Sequence, residues 1–200
     1  IKNDIFFNGN FLSENEKFDQ YLQRFGYTFK SEINELGGYT ILKNKKIILA
    51  ADIGSSPKKN FSKDYQAGTL SFEIFSNDKK LISNPGYYSD KSNKLNKLSK
   101  STALHSTLTI EDYSSCNFIK KQNNFIIDKG LKVSKKIIVF EDNYWKISGT
   151  HDGYLNKFGT IHEREIEFYP EQLKFIGYDK LFRKNVDKEI KFDIRFHLNP

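Results

Sequence analysis

The stretch DYQAGTLSFEIF, residues 64–75, carries both the fold and the first question about function. In its second half Leu70, Phe72 and Ile74 alternate with Thr69, Ser71 and Glu73. That period of two predicts a strand with one buried face. In its first half Asp64 and Gln66 stand against the strand, and polar side chains placed there are exposed, hydrogen-bonded or part of a site. The strand pattern extends well beyond this stretch. From GGYTILKNKKIILAADIG (37–54) onward one strand follows another, with breaks at Asn44-Lys45, Gly54 to Pro57, Asn77-Asp78, Pro85-Gly86, Lys129-Gly130, Asp142-Asn143 and Gly177. The clearest alternation is EIKFDIRFHL (189–198). Ile190, Phe192, Ile194, Phe196 and Leu198 are expected to form a dry face, and Lys191, Asp193, Arg195 and His197 a wet one. Strands at this spacing, without helical patterns between them, predict a mainly β chain folded as a large antiparallel β-sandwich.

One short N-terminal helix precedes the strands. In SENEKFDQYLQRFG (13–26), Phe18, Tyr21, Leu22 and Phe25 recur at helical spacing, Ser13 and Glu16 form a capping box, and Gly26 is placed to end the helix. Residues 1–36 therefore read as a helical leading segment or connector, and residues 37–200 as the sandwich domain. The segment YYSDKSNKLNKLSKST (87–102) breaks the strand rhythm, with Lys91, Lys94, Lys97 and Lys100 at every third position. It reads as a long basic loop that is either solvated or in contact with an anionic polymer.

Composition fits one globular unit. The 200 residues include 38% hydrophobic side chains and 18 Phe, enough apolar bulk for a single sizeable core. A mean hydropathy of −0.63 implies a heavily charged surface, and no run reaches transmembrane length. The chain begins with Ile, as a fragment or processed chain would. The formal charge of +7 favours polyanions. Lysines are nevertheless interspersed with acids, and no zinc-finger, RNP or recognition-helix pattern is present, so nucleic acid is not the expected partner. An acidic sugar polymer fits the charge equally well. The single cysteine, Cys116, cannot form an internal disulfide and reads as a small buried apolar side chain.

Phosphate-binding glycine loops, nucleophile elbows and paired-cysteine zinc sites are all missing, which leaves the four histidines. His197 shares its polar face with Arg195 and reads as exposed or salt-bridged. His162, between Glu163 and a strand, reads as structural. His105 stands where the small residues Ser101 to Ala103 enter a strand. His151 precedes the turn DGY, a position suited to a site on a loop held by rigid strands.

At these residues the chain resembles a known family. GGYTILKNKKIILAADIG, AGTLSFEIF, LISNPGYYSD, STALHSTLTIEDYSSC, GTHDGYLNKFGTIHERE and FDIRFHLNP are similar, in that order, to the β-sandwich region of heparinase II/III-like polysaccharide lyases. The resemblance implies a parent with an N-terminal α/α toroid, absent from this chain, followed by this sandwich, with the active site between the two. It implies cleavage of uronate-containing acidic polysaccharides by β-elimination. A group neutralises the carboxylate, a base takes the C5 proton and an acid assists the leaving oxygen. It also implies export from a bacterial cell, to the periplasm or cell envelope.

Better-known members carry a His-Ala-His-Ala-Asp run before the LSFE strand, an aspartate before Pro-Gly and a histidine after STA. The first histidine is catalytic, while the second, the aspartate before Pro-Gly and the last histidine hold a structural zinc. Carried over, the catalytic histidine falls on Asp64 and the first zinc histidine on Gln66. The run's aspartate falls on Gly68, the zinc aspartate on Asn84, and only His105 is retained. One histidine and two neutral amides cannot hold zinc tightly, so no metal or other cofactor is expected. Gln66, Asn84 and His105 are expected instead to form a hydrogen-bonded cluster. Asp64, His105 and His151 are the catalytic candidates, and Gln66, Asn84 and Tyr154 the substrate-binding ones. The isolated chain is expected to be inactive. The alternative is a non-catalytic carbohydrate-binding or structural sandwich module.

Overall fold

The computed structural model describes residues 20–26, 35–77, 79–86, 88, 94–122, 124–183 and 189–199. In chain order its strands are β1 (Glu35–Leu36), β2 (Tyr39–Lys43), β3 (Ile47–Asp52), β4 (Phe72–Ser76), β5 (Lys79–Ile82), β6 (Leu108–Ile110), β7 (Asn117–Lys121), β8 (Asn124–Lys129), β9 (Val133–Phe140), β10 (Trp145–His151), β11 (Thr160–Tyr169), β12 (Lys174–Arg183) and β13 (Phe192–Ile194). Two short helices, α1 (Lys94–Ser99) and α2 (Leu155–Phe158), lie in the connections.

Strands β1 to β5 form one antiparallel sheet in chain order, and β9 to β12 form a second. Their inner faces pack together. Leu42, Leu49, Phe72 and Ile74 of the first sheet share one core with Trp145, Ile147, Ile166 and Phe168 of the second. The Trp145 and Phe168 rings lie 4.8 Å apart, and Phe168 stacks on Phe175 at 4.3 Å. Each large apolar side chain buried here contributes on the order of 1.5–3 kcal/mol. Two small pairs, β6 with β13 and β7 with β8, complete the architecture. The mainly antiparallel sandwich expected from the alternation is the observed fold.

Several local expectations differ from the structure. β4 is buried on both faces, so Glu73 and Ser71 are as inaccessible as Phe72. Leu70 turns into the left-handed region at φ 63°, which delays the strand to Phe72. Gly177 lies inside β12, and the chain reverses instead at Pro170–Leu173, with Leu173 at φ 50°. The basic segment contains α1, and Lys100 is buried: its ammonium donates to the carbonyls of Lys63 (2.6 Å) and Tyr65 (3.0 Å). It therefore has no surface to offer a polymer.

The faces predicted for 189–198 hold only in part: Ile190 packs against the Leu108, Ile110 and Tyr154 cluster, and Lys191 and Asp193 are exposed, but the pattern fails at the other positions. Phe192, Ile194, Phe196 and Leu198 are exposed, Phe196 by 53%. Arg195 instead turns toward Thr109, and His197 contacts the carbonyl of Ala103 at 3.2 Å. This segment is the antiparallel partner of β6 in a two-stranded sheet, its Arg195 amide donating to the Thr107 carbonyl and its His197 amide to the Ser106 hydroxyl, and a strand in so small a sheet leaves side chains of both faces exposed. His197 is thus half-buried, while Arg195 is paired with Asp193 and Asp112. Of the N-terminal helix, residues 20–24 are helical and Gly26 closes the turn at φ 71°. Its capping box and Phe18 lie outside the described residues.

Candidate functional site

Three connecting segments converge at one end of β4: residues 64–68, residues 83–86 and residues 101–106. Hydrogen bonds tie them pairwise. The Ala67 amide donates to the Lys100 carbonyl at 3.0 Å, and the Thr102 hydroxyl donates to the Ala67 carbonyl at 2.8 Å. Gln66 Nε2 donates to the Gly86 carbonyl at 2.5 Å, joining the first segment to the second. Asn84 Oδ1 accepts from the Ser106 amide at 2.8 Å, joining the second to the third. The Asn84 amide in turn donates to Glu73 Oε1 at 2.8 Å, and Lys80 pairs with the same carboxylate at 3.1 Å. Burial of Glu73 pushes its carboxyl up, and Lys80 opposes that shift.

The three segments thus place Asp64, Gln66, Asn84 and His105 near one another, but their side chains do not form the expected mutual cluster. Each of the three neutral ones bonds to backbone. His105 Nδ1 donates to the Ser101 carbonyl at 2.8 Å, and the ring is only 3% exposed. Burial pulls its pKa down to about 4, with the Ser101 hydrogen bond opposing and His197 adding to the shift. The imidazole is neutral at neutral pH. Asp64 is different: its carboxylate is 41% exposed, with Lys63 Nζ at 3.8 Å. Asp64 and the half-buried Gln66 form the accessible rim.

The residues present do not fit the zinc implied by the resemblance. Gln66 and Asn84 offer amide oxygens, and Asn84 Oδ1 is already used by Ser106. Position 68 leaves no room for a carboxylate either: a Cβ on Gly68 would lie 2.6 Å from His105 Cδ2. The imidazole occupies the space that a side chain there would need. Among the described residues, no three His, Cys, Asp or Glu side chains are grouped to hold a metal ion.

His151 and Tyr154 lie elsewhere, in the core. Tyr154 is buried and donates its hydroxyl to the Leu108 carbonyl at 2.9 Å. His151 belongs to a buried relay on the inner face of the second sheet that sequence reasoning missed. The Gly153 amide donates to His151 Nδ1 at 3.1 Å, which leaves the imidazole hydrogen on Nε2. That hydrogen points to His162 Nδ1 at 3.1 Å, and His162 Nε2 donates to Asp179 at 2.6 Å. Arg164 then grips Asp179 in bidentate fashion, at 2.8 and 2.9 Å, and its Nη1 crosses to the carbonyls of Leu70 (3.1 Å) and Ser106 (2.7 Å).

Strand register builds this relay: His151 faces His162 across β10 and β11, and Arg164 faces Asp179 across β11 and β12. Burial keeps both histidines below their ordinary pKa, the Asp179 contact partly offsetting this for His162. Burial alone would raise Asp179, but His162 and Arg164 hold it down to about 2. The signal was present in TIHEREIEFY: period two puts His162 and Arg164 on the same face as Ile166 and Phe168.

A sandwich of two antiparallel sheets, with a site assembled from loops at one end, defines the class. A family model described as "Heparinase II/III-like, C-terminal" matches residues 34–200, and the chain belongs to that family. Among solved structures it is similar to the heparan sulfate lyase HepC from Pedobacter heparinus, at 18% identity and a TM-score of 0.58 over 86% of this chain and 28% of that one. It is similar also to a structure of heparinase III, at 20% identity and a TM-score of 0.59 over 92% of this chain and 32% of that one. The chain therefore spans about a third or less of those proteins. No curated protein matches it.

Proposed function

We propose that this chain is one wall of the cleft of a lyase-type protein acting on acidic, uronate-containing glycans, with Asp64 and Gln66 as its substrate-facing groups. One observation carries the reading: of the residues at the family's site positions, Asp64 alone presents a partly exposed ionisable group, while His105 is enclosed. In a β-elimination the base removes the C5 proton, those electrons form the C4–C5 double bond, and the C4–O bond breaks with a proton delivered to the leaving oxygen. Asp64 can supply a base. A carboxylate meeting a uronate is repelled unless a cation is near, and Lys63 is the cation at hand. The neutralising and acid groups belong to the toroid of the parent protein, so the isolated chain turns nothing over. Such a protein works outside the cytoplasm of a bacterium, in the periplasm or cell envelope.

The test is ultraviolet absorbance of the unsaturated uronate product, using full-length protein and a panel of acidic glycans. Product formation that Asp64→Asn abolishes supports the reading, and formation that it leaves unchanged removes Asp64 from the mechanism. A second reading, a glycan-binding module without catalysis, is favoured by the backbone bonding of Gln66, Asn84 and His105, which serves loop structure alone. Measurable glycan binding with no absorbance gain for any glycan selects it.

A further inference from the structure

A second depression is set off from the Asp64–Gln66 rim by a buried layer in which Ala67, Thr102 and Ser115 are joined by hydrogen bonds. It has a volume of about 280 Å³, and its walls include Tyr113, Asn117, Lys129, Asn156, Lys157 and Phe158. The sequence did not single it out, because its residues come from three separate segments: the bridge after β6 and the start of β7, the end of β8, and α2.

Three properties of this pocket act together. Its walls include two lysines and no carboxylate. The acids nearby in sequence are engaged elsewhere: Glu111 accepts the Lys191 amide at 2.8 Å, Asp112 pairs with Arg195 at 3.6 Å, and Asp152 accepts the Lys132 amide at 2.7 Å. Among the described residues neither Lys129 nor Lys157 has a carboxylate partner. The Lys157 ammonium is also positioned: it rests over the Tyr113 ring and lies 5.7 Å from the centre of the Phe158 ring. Contact with two π faces holds a cation in place without neutralising it. Tyr113 and Phe158 meet edge to face at 5.7 Å and so form a rigid apolar wall. Asn117 and Asn156 supply exposed amides beside that wall, able both to donate and to accept.

We infer that this pocket binds a single acidic sugar residue, as a subsite separate from the Asp64–Gln66 rim. Lys129 and Lys157 take its carboxylate or sulfate, the amides take its hydroxyls, and the part of the aromatic wall that Lys157 leaves uncovered takes its C–H groups. The volume lies at the low end for a small-molecule site, sized for one ring and not for a length of polymer. The inference rests on the acidic-glycan reading above.

Full-length protein is titrated calorimetrically with a heparan sulfate hexasaccharide, an unsulfated hyaluronan hexasaccharide and neutral maltohexaose. The expected result is binding of one or both acidic oligosaccharides and not of the neutral one. The double variant Lys129→Ala/Lys157→Ala, and separately Tyr113→Ala, should each weaken binding about tenfold or more. A control pair on the β7–β8 hairpin, Lys120→Ala/Lys121→Ala, should change it little. Preference between the two acidic sugars reports whether sulfate or carboxylate is read. If the natural protein binds neither acidic sugar, this subsite and the acidic-glycan reading fall together. If it binds and the pocket variants bind equally well, the subsite falls and that reading stands. Equal competition by single-stranded DNA, with no effect of Tyr113→Ala, makes the pocket a general polyanion patch and overturns the sugar assignment. The substituted side chains lie on the surface, and unchanged thermal unfolding confirms that the variants fold.

Discussion

The loop site and the relay buried on the second sheet each contain histidine, carboxylate and a cation, but they are built on opposite principles. At the loop site Gln66, Asn84 and His105 each reach for backbone, so every side chain secures a segment and none depends on the chemistry of another. In the relay the side chains reach for one another, and their directions are fixed from the Gly153 amide to the Asp179 carboxylate. A site of the first kind can change residue by residue while its loops stay in place. One of the second kind tolerates little, because removing a member leaves a buried partner unsatisfied. Arg164 connects the two: it closes the relay on Asp179 and holds the Ser106 carbonyl of the loop site together with the Leu70 carbonyl just after its first segment.

The contrast is tested most severely at Arg164. Arg164→Met leaves Asp179 charged and buried and frees two carbonyls, so a loss of about 3–5 kcal/mol in denaturant unfolding is expected. A loss below about 1 kcal/mol would mean that the relay is not the rigid half of the comparison.

Next in size is pH. His105 is held at about 4, below its ordinary 6.5, so its contribution to stability is complete above pH 6.5 and is lost as pH falls toward 4. That loss amounts to up to about 3 kcal/mol. Asp52 acts in the opposite sense. Burial raises it from 3.8 to about 7, with the Gly54 amide and Lys136 opposing, so the fold prefers it protonated and its contribution is lost as pH rises through that range. Asp52→Asn removes the opposing slope. Unfolding of that variant across the window should fall more steeply with acid than in the natural chain, and an unchanged slope would refute the assignment.

Smaller again is the contact between Gly68 and His105. Gly68→Ala should cost about 1–3 kcal/mol through overpacking against the ring. Adding His105→Ala should cost less than the two single losses combined, as measured by a double-mutant cycle. Additive losses would show that the ring does not fill the space beside position 68. The smallest effect belongs to the rim: Asp64→Asn should alter thermal stability by less than about 0.5 kcal/mol.

The sheets were legible because burial alternates along β2 and β11, while β3 is a short apolar run buried almost throughout. Alternation identifies two faces, however, without saying which one is covered. In 189–198 Ile190 reaches a core cluster, while Phe192, Ile194, Phe196 and Leu198 stay exposed because the strand belongs to a two-stranded sheet at the margin of the fold. In β11 the inner face itself carries His162 and Arg164, which local hydropathy assigns to solvent. The placement of Asp64, Gln66, Asn84 and His105 on converging segments could be read from the family motif. Their hydrogen bonds could not, because those partners are carbonyls and amides of distant loops. The pocket beside Lys157 was invisible for the same reason, since only the tertiary arrangement brings its three segments together.

The one-way direction of the relay has a spectroscopic consequence. With Gly153 donating to His151 and Asp179 accepting from His162, both imidazoles are confined to the Nε2–H tautomer, and both protons sit in hydrogen bonds sealed from water. Ring protons of ordinary surface histidines exchange too fast to be seen, whereas these two are protected enough to give resolved, far-downfield NMR resonances. The chain thus carries a built-in reporter of whether the inner face of its second sheet stays covered, readable without any label or substrate.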